Sequence, residues 1–109
     1  MVWHKMEKLW LARHGDLLIQ RIEDLPSILN LDKTNILAEG EKTGHKHELL
    51  GKSRVYRQQN GSVYFEVEEE FVKLVHQEHK TIQIPKGKYI VKQEREFNPF
   101  EMRRQMVKD

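Results

Sequence analysis

The stretch Arg54-Val55-Tyr56-Arg57-Gln58-Gln59-Asn60-Gly61-Ser62-Val63-Tyr64-Phe65-Glu66-Val67-Glu68 decides the fold class. Val63, Phe65 and Val67 alternate strictly with polar neighbours, the period-two pattern of a strand with one face buried. Val55 and Tyr56 supply a second apolar segment before the polar run Gln58–Ser62. Asn60-Gly61 supplies the positive φ angles of a type I′ turn, so the stretch predicts a β-hairpin. Glu68-Glu69-Glu70 then interrupts the alternation as a bulge or solvated face, and Phe71–Val75 resumes it.

Working outward, similar short segments recur at intervals of about ten residues. Leu9 and Leu11, then Leu17 and Ile19, flank Arg13-His14-Gly15-Asp16 and predict a first hairpin. Leu25-Pro26 stops that strand, and residues 27–35 read as irregular. Ile36 and Leu37 fit a short strand, and residues 45–50 another that ends at Gly51. Ile82 and Ile84 predict a strand, Pro85-Lys86-Gly87 a turn, and Tyr89 and Val91 a strand beyond it. Residues 69–79 fit either a continued strand or a helical turn or two. Asn98-Pro99 ends the strand pattern, and Pro99 suits the first position of a short helix reaching Met106.

The expectation is a mainly β, small single-domain antiparallel β-barrel or sandwich, with residues 1–97 as its β part. Residues 98–109 form a short C-terminal helix or loose tail of the same domain. The 109-residue length suits one domain. Absence of cysteine excludes disulfides, thiolate metal sites and cysteine nucleophiles. No run approaches a membrane span, and no apolar stretch with a cleavage site opens the chain, so a cytoplasmic protein is expected.

Charge points to no particular partner. The formal net charge is +2, with eight basic and eleven acidic residues in 23–85 and seven against four in 86–109. Nucleic acid is not expected as a partner, because the basic residues of the C-terminal stretch alternate with acids instead of forming a stripe. The loop Glu39–Gly44 is not a phosphate loop, since Lys42-Thr43 precede its second glycine.

Four of the six histidines fall in two tight pairs. His45 and His47 have the spacing that places both imidazoles on one face of a strand. His76 and His79 have a spacing that converges in a tight or helical turn. If the pairs meet, they form a nitrogen site suited to a divalent transition metal: zinc, nickel, copper or iron. Glu48 and Glu78 are the candidate supporting carboxylates, as ligands or as acceptors for ring N–H groups. Loss of one histidine from such a set leaves an open position for metal-bound water. His4 and His14, isolated in sequence, read as surface residues. No complete catalytic motif is present, so catalytic residues stay unassigned. The other function class is a non-enzymatic accessory module that docks on a larger protein partner through Phe97, Phe100, Arg103 and Arg104.

The elements Gly40, His45, His47, Pro85 and Gly87, over about half the chain, partly resemble the cupin family. That resemblance implies a small barrel whose lining histidines hold a divalent metal. The longer pattern Ala38-Glu39-Gly40-Glu41-x-Thr43-Gly44-His45-x-His47, with His76-x-x-His79, Ile84-Pro85-x-Gly87-x-Tyr89 and Gln93-x-Arg95-Glu96, resembles a functionally uncharacterised family of small prokaryotic β proteins. It implies one domain from about Gly15 onward and no activity.

Overall fold

A computed structural model of the chain describes residues 10–40 and 43–94. Eight antiparallel strands follow one another: β1 (Leu11–His14), β2 (Leu17–Ile22), β3 (Asn30–Asp32), β4 (Ile36–Glu39), β5 (Lys46–Leu50), β6 (Ser53–Arg57), β7 (Val63–Val75) and β8 (Ile82–Gln93). They form one sheet in the order β1-β2-β8-β7-β5-β4, with β6 also on β7 and β3 on β6. Among the described residues β1 and β4 do not pair, so the sheet curls without closing into a barrel. No helix in the described residues is long and apolar enough to cross a membrane.

The centre of the sheet is the β7–β8 hairpin, and it is bent. Its ladder runs from Val63↔Val91 to Val67↔Gly87, then resumes shifted at Phe71↔Pro85 and continues to Leu74↔Ile82. The unpaired Glu68-Glu69-Glu70 forms a bulge, which bends a strand and increases its twist. It also reverses which side chains face inward. Phe65 and Val67 are buried before it, and Val72 and Leu74 after it; on β8 the buried residues pass from Ile84 to Tyr89 and Val91. The inward-facing positions thus change parity on both strands across the bulge. β6 pairs the first half of β7 and β5 the second, on the same edge, so the β5–β6 connection Gly51-Lys52 lies alongside the corner.

Two turn expectations are corrected. The Arg57–Val63 connection is a five-residue loop instead of a two-residue type I′ turn. Gly61 N–H donates to the Gln58 carbonyl at 2.9 Å, Ser62 N–H to Asn60 Oδ1 at 2.9 Å, and only Gly61 of this loop has positive φ. The loop's own hydrogen bonds thus hold Asn60 out of the left-handed region that type I′ requires. Pro85-Lys86-Gly87 is not a turn, because β8 runs through it unbroken. Proline is tolerated there since β2 pairs β8 only from Lys88 onward, which leaves Pro85 one flank without a neighbouring strand among the described residues. Residues 71–75 are strand, not helix, and β3 lies within the segment expected to be irregular. The C-terminal helix or tail lies outside the described residues.

The core gathers Leu17 and Ile19, Leu37, Leu49, Val55, Phe65, Val67, Val72, Leu74, Ile84, Tyr89 and Val91. Phe65 and Tyr89 stack with ring centroids 4.9 Å apart, and Trp10 meets Tyr89 edge-on at 5.4 Å. β3 is held to this body by Asp32, which accepts from Arg57 Nε, while Arg57 Nη2 donates to the Ile36 carbonyl at 2.8 Å. Truncating Phe65 to Ala is expected to cost about 3–5 kcal/mol of unfolding free energy in urea titration. Ile28→Ala, at a site 83% exposed, should stay within about 0.5 kcal/mol of the parent.

Candidate histidine site

Three connections converge at one place: the β1–β2 turn at Gly15-Asp16, the loop from Gly40 to His45, and the His76–Thr81 loop between β7 and β8. They enclose a hollow of about 200 Å³ lined by Asp16, His45, His47, His76, Glu78 and His79, with Ala38 and Gln93 on another side. The bend in the long hairpin makes this possible. A straight β8 would hold its ends roughly 37 Å apart at the usual rise per residue, yet Gln93, at one end, lines the same hollow as His79, just beyond the other.

The two predicted histidine pairs face this hollow together. Ring centroids are 4.4 Å apart for His47–His76, 5.9 Å for His47–His79, 4.5 Å for His76–His79 and 5.6 Å for His45–His76. His47 projects inward from β5, while His45 precedes that strand and stands 3.7 Å from Glu78 Oε2. His76 and His79 sit in the loop rather than on a helix, and Glu78 N–H donates to His76 Nδ1 at 3.0 Å. Glu48, next to His47 in sequence, falls on the other face of the strand and does not line the hollow. Phe97, Phe100, Arg103 and Arg104 lie outside the described residues.

Sequence reasoning misplaced His14 and overlooked Asp16. His14 is 2% exposed and His47 5%. His14 Nδ1 stands 2.9 Å from His47 Nδ1, and His14 Nε2 stands 2.9 Å from the Lys80 carbonyl. His14 is thus a buried link between three segments, not a surface residue. The sequence held no plain signal for this: His14 lies one residue before a glycine turn and, three residues from the buried Leu11, on the opposite face of β1.

These contacts fix the tautomers. A carbonyl only accepts, so His14 Nε2 carries its proton and, in the neutral ring, Nδ1 is a lone pair. His47 Nδ1–H must then donate to it, which leaves a neutral His47 with its lone pair on Nε2. That atom lies 3.3 Å from Asp16 Oδ1. Burial pushes His47 down to about 4, helped by His76 and His14 and opposed by Asp16. Burial likewise lowers His14, against the hydrogen bond to Lys80, and lowers His76, with the neighbouring His79 and His45 acting in the same direction. At neutral pH the buried pair therefore carries two protons, and the His47 Nε2 lone pair faces the carboxylate of Asp16, whose side chain is more than half exposed to solvent. Among the described residues no three His, Asp or Glu side chains already gather their donor atoms for an ion.

Gly15 packs closely against two of these rings. Its φ is +62°, and a Cβ there would lie 2.6 Å from His79 Nε2 and 3.1 Å from His47 Cε1.

The chain belongs to the family defined by the domain of unknown function DUF8820, which matches residues 13–94. The match spans all the residues placed around the hollow and no activity comes with it. Neither the curated proteins nor the solved structures contain a match to the chain.

Gly15→Ala should cost about 1–2 kcal/mol from backbone strain alone and shift the His79 and His47 imidazole resonances, read by urea titration and NMR. The metal-free protein should also lose stability on mild acidification. His47 is lowered to about 4 when folded, so the unfolded chain takes up a proton near the ordinary value of 6.5 that the folded chain refuses. This contribution is complete above pH 6.5 and is lost as pH falls toward 4, with His14 acting in the same direction. The urea midpoint should drop between pH 7 and pH 5, and His47→Gln should flatten the drop; an equal slope in that variant contradicts the assignment.

Proposed function

We propose that this protein is a divalent transition-metal-binding β domain, with His47 Nε2 and Asp16 as the central ligands. One observation carries the reading: a buried imidazole lone pair held 3.3 Å from a carboxylate oxygen, with its tautomer set from behind by His14. Zinc bound at the usual Zn–N and Zn–O distances of about 2.0–2.2 Å spans roughly 3.3–3.5 Å between two ligands at the tetrahedral angle. The spacing suits a metal edge, and a cation there turns a repulsive contact into two bonds.

The other ligands come from the rim. His79 stacks at 5.9 Å from His47, and His76 sits between them. Both belong to the β7–β8 loop, where side-chain rotation closes the remaining distance. His76 must release the Glu78 N–H to offer Nδ1, so His79 is the readier third ligand. His45, with Glu78 beside it, completes or replaces the fourth position. Glu48 takes no part. His14 positions His47 through its Nδ1, and the Lys80 carbonyl positions His14, the arrangement by which metal-bound histidines are oriented and made more basic. Zinc, nickel, copper and iron(II) all accept this nitrogen-rich donor set with one carboxylate.

Elemental analysis of tag-free protein should find close to one equivalent of metal per chain, or zinc titration of chelator-treated protein should reach it. His47→Ala and Asp16→Asn should each abolish stoichiometric binding. His14→Gln should retain the ligands and weaken affinity about 10–100-fold. Failure of the wild type to bind zinc, nickel, copper or iron(II) overturns the reading.

A further inference from the structure

The sheet has an outer face as well as the face that encloses the core, and the strand register fixes which side chains share it. Leu31, Tyr56, Tyr64, Ile90, Gln20 and Leu11 stand side by side across β3, β6, β7, β8, β2 and β1. Lys92, Leu18 and Arg13 form the adjoining row on β8, β2 and β1. Side chains alternate between the two faces of a strand, so both rows point away from the inward-facing Ile19, Phe65, Tyr89 and Val91. Exposure differs along this outer face. Leu31, at one end, is 58% exposed, whereas Leu11 and Leu18, at the other, are 5% and 1%. Neither of the two buried leucines belongs to the core cluster. Among the described residues all eight strands belong to one sheet and no α-helix occurs, so none of these elements forms a second layer over them. Side chains on a sheet stand roughly perpendicular to it and do not roof one another over. A leucine left 1% exposed on such a face therefore has something laid across it.

We infer that the residues following Glu94 cover the outer face of β1, β2 and β8, where Phe97 and Phe100 form a second, smaller core with Leu11, Leu18 and Ile90. The place where the chain leaves the sheet points there. β8 ends at Gln93, and Glu94 Oε1 accepts from Arg13 Nη2, whose residue stands beside Leu18 on the outer face. The chain thus departs already tied to the face in question. Fifteen residues remain, from Arg95 to Asp109, and Leu18 on β2 is only one strand spacing, about 5 Å, from β8. Those residues include Phe97, Phe100, Met102 and Met106, the apolar surface that leucines facing away from the core require. Trp10, where the described chain begins, is turned the other way, into the core beside Tyr89. The cover is independent of the histidine site. It assigns Phe97 and Phe100 to this domain and removes them as anchors for a larger protein partner.

The chain has no cysteine, so Gln105→Cys accepts a single nitroxide in the full chain. The methyl resonances of Leu11, Leu18 and Ile90 should then lose most of their intensity, and those of Leu50 and Val75, beyond the corner, much less. Equal losses at the two sets, or none, overturn the inference. A nitroxide at Lys5→Cys that broadens the first set more strongly gives this face to the N-terminal segment and also overturns it. Mixing nitroxide-bearing chains with separate isotope-labelled ones tests for a second copy; broadening there as strong as within one chain overturns the intramolecular cover. Phe97→Ala with Phe100→Ala should reduce the broadening and leave the Val72 and Leu74 methyl shifts in place, whereas unaltered broadening contradicts the part given to the two rings. The Gln105→Cys measurement needs neither substitution and decides the matter if the double variant misfolds.

Discussion

Everything in this fold depends on the corner in the β7–β8 hairpin. A ladder this long cannot stay flat and still bury one face of both its halves. Glu68-Glu69-Glu70 supplies the surplus residues on β7, and the inward-facing positions change parity on both strands as they pass it. The two halves then look at each other across a shared core, with β6 and β5 docked in succession along one edge. Three consecutive carboxylates suit the outside of such a corner, where repulsion favours spreading and solvent is at hand. Pro85 and Gly87, opposite them, occupy the part of β8 that has no strand on its other side among the described residues.

The same bend determines the chemistry. It brings the loop carrying His76 and His79 against the Gly15 turn, and the contact is close enough that only a residue without Cβ fits. Burial then acts on the histidines in a consistent direction. Imidazoles crowded together and removed from water resist protonation, and the carbonyl of Lys80 dictates where the remaining protons sit. Asp16 is left facing a lone pair.

Much of the fold was legible in the sequence because strand periodicity is a local property. The alternation at Val63, Phe65 and Val67 marked the first half of β7; the three glutamates read as a bulge or a solvated face and residues 69–79 as strand or helical turn, and the structure has a bulge followed by strand. What failed were inferences in which one dipeptide stood for a three-dimensional context. Asn60-Gly61 was read as a two-residue turn, although the neighbouring Gln58 and Ser62 form a longer one. Pro85-Lys86-Gly87 was read as a break, although proline breaks a strand only where its missing N–H faces a neighbour. Of the site, His45 and His47 were visible as a same-face strand motif, and His76 and His79 as a spacing that suits a turn. His14 and Asp16 were not, because their relation to His47 depends on which strands lie next to which, and a sequence read alone does not contain that order.

The histidines and their hydrogen-bond partners at the hollow come from three well-separated parts of the chain: His14 and Asp16, then His45 and His47, then His76 to Lys80. The His14–His47 and His14–Lys80 bonds span 33 and 66 positions in sequence. Contacts of that range are slow to find during folding, since each closes a large loop before any stabilisation is returned. The hollow is therefore a late product of the folding reaction, a record that all three segments have arrived. An ion seated there would bind only the finished molecule, and by mass action would hold the ends of both loops together against unfolding.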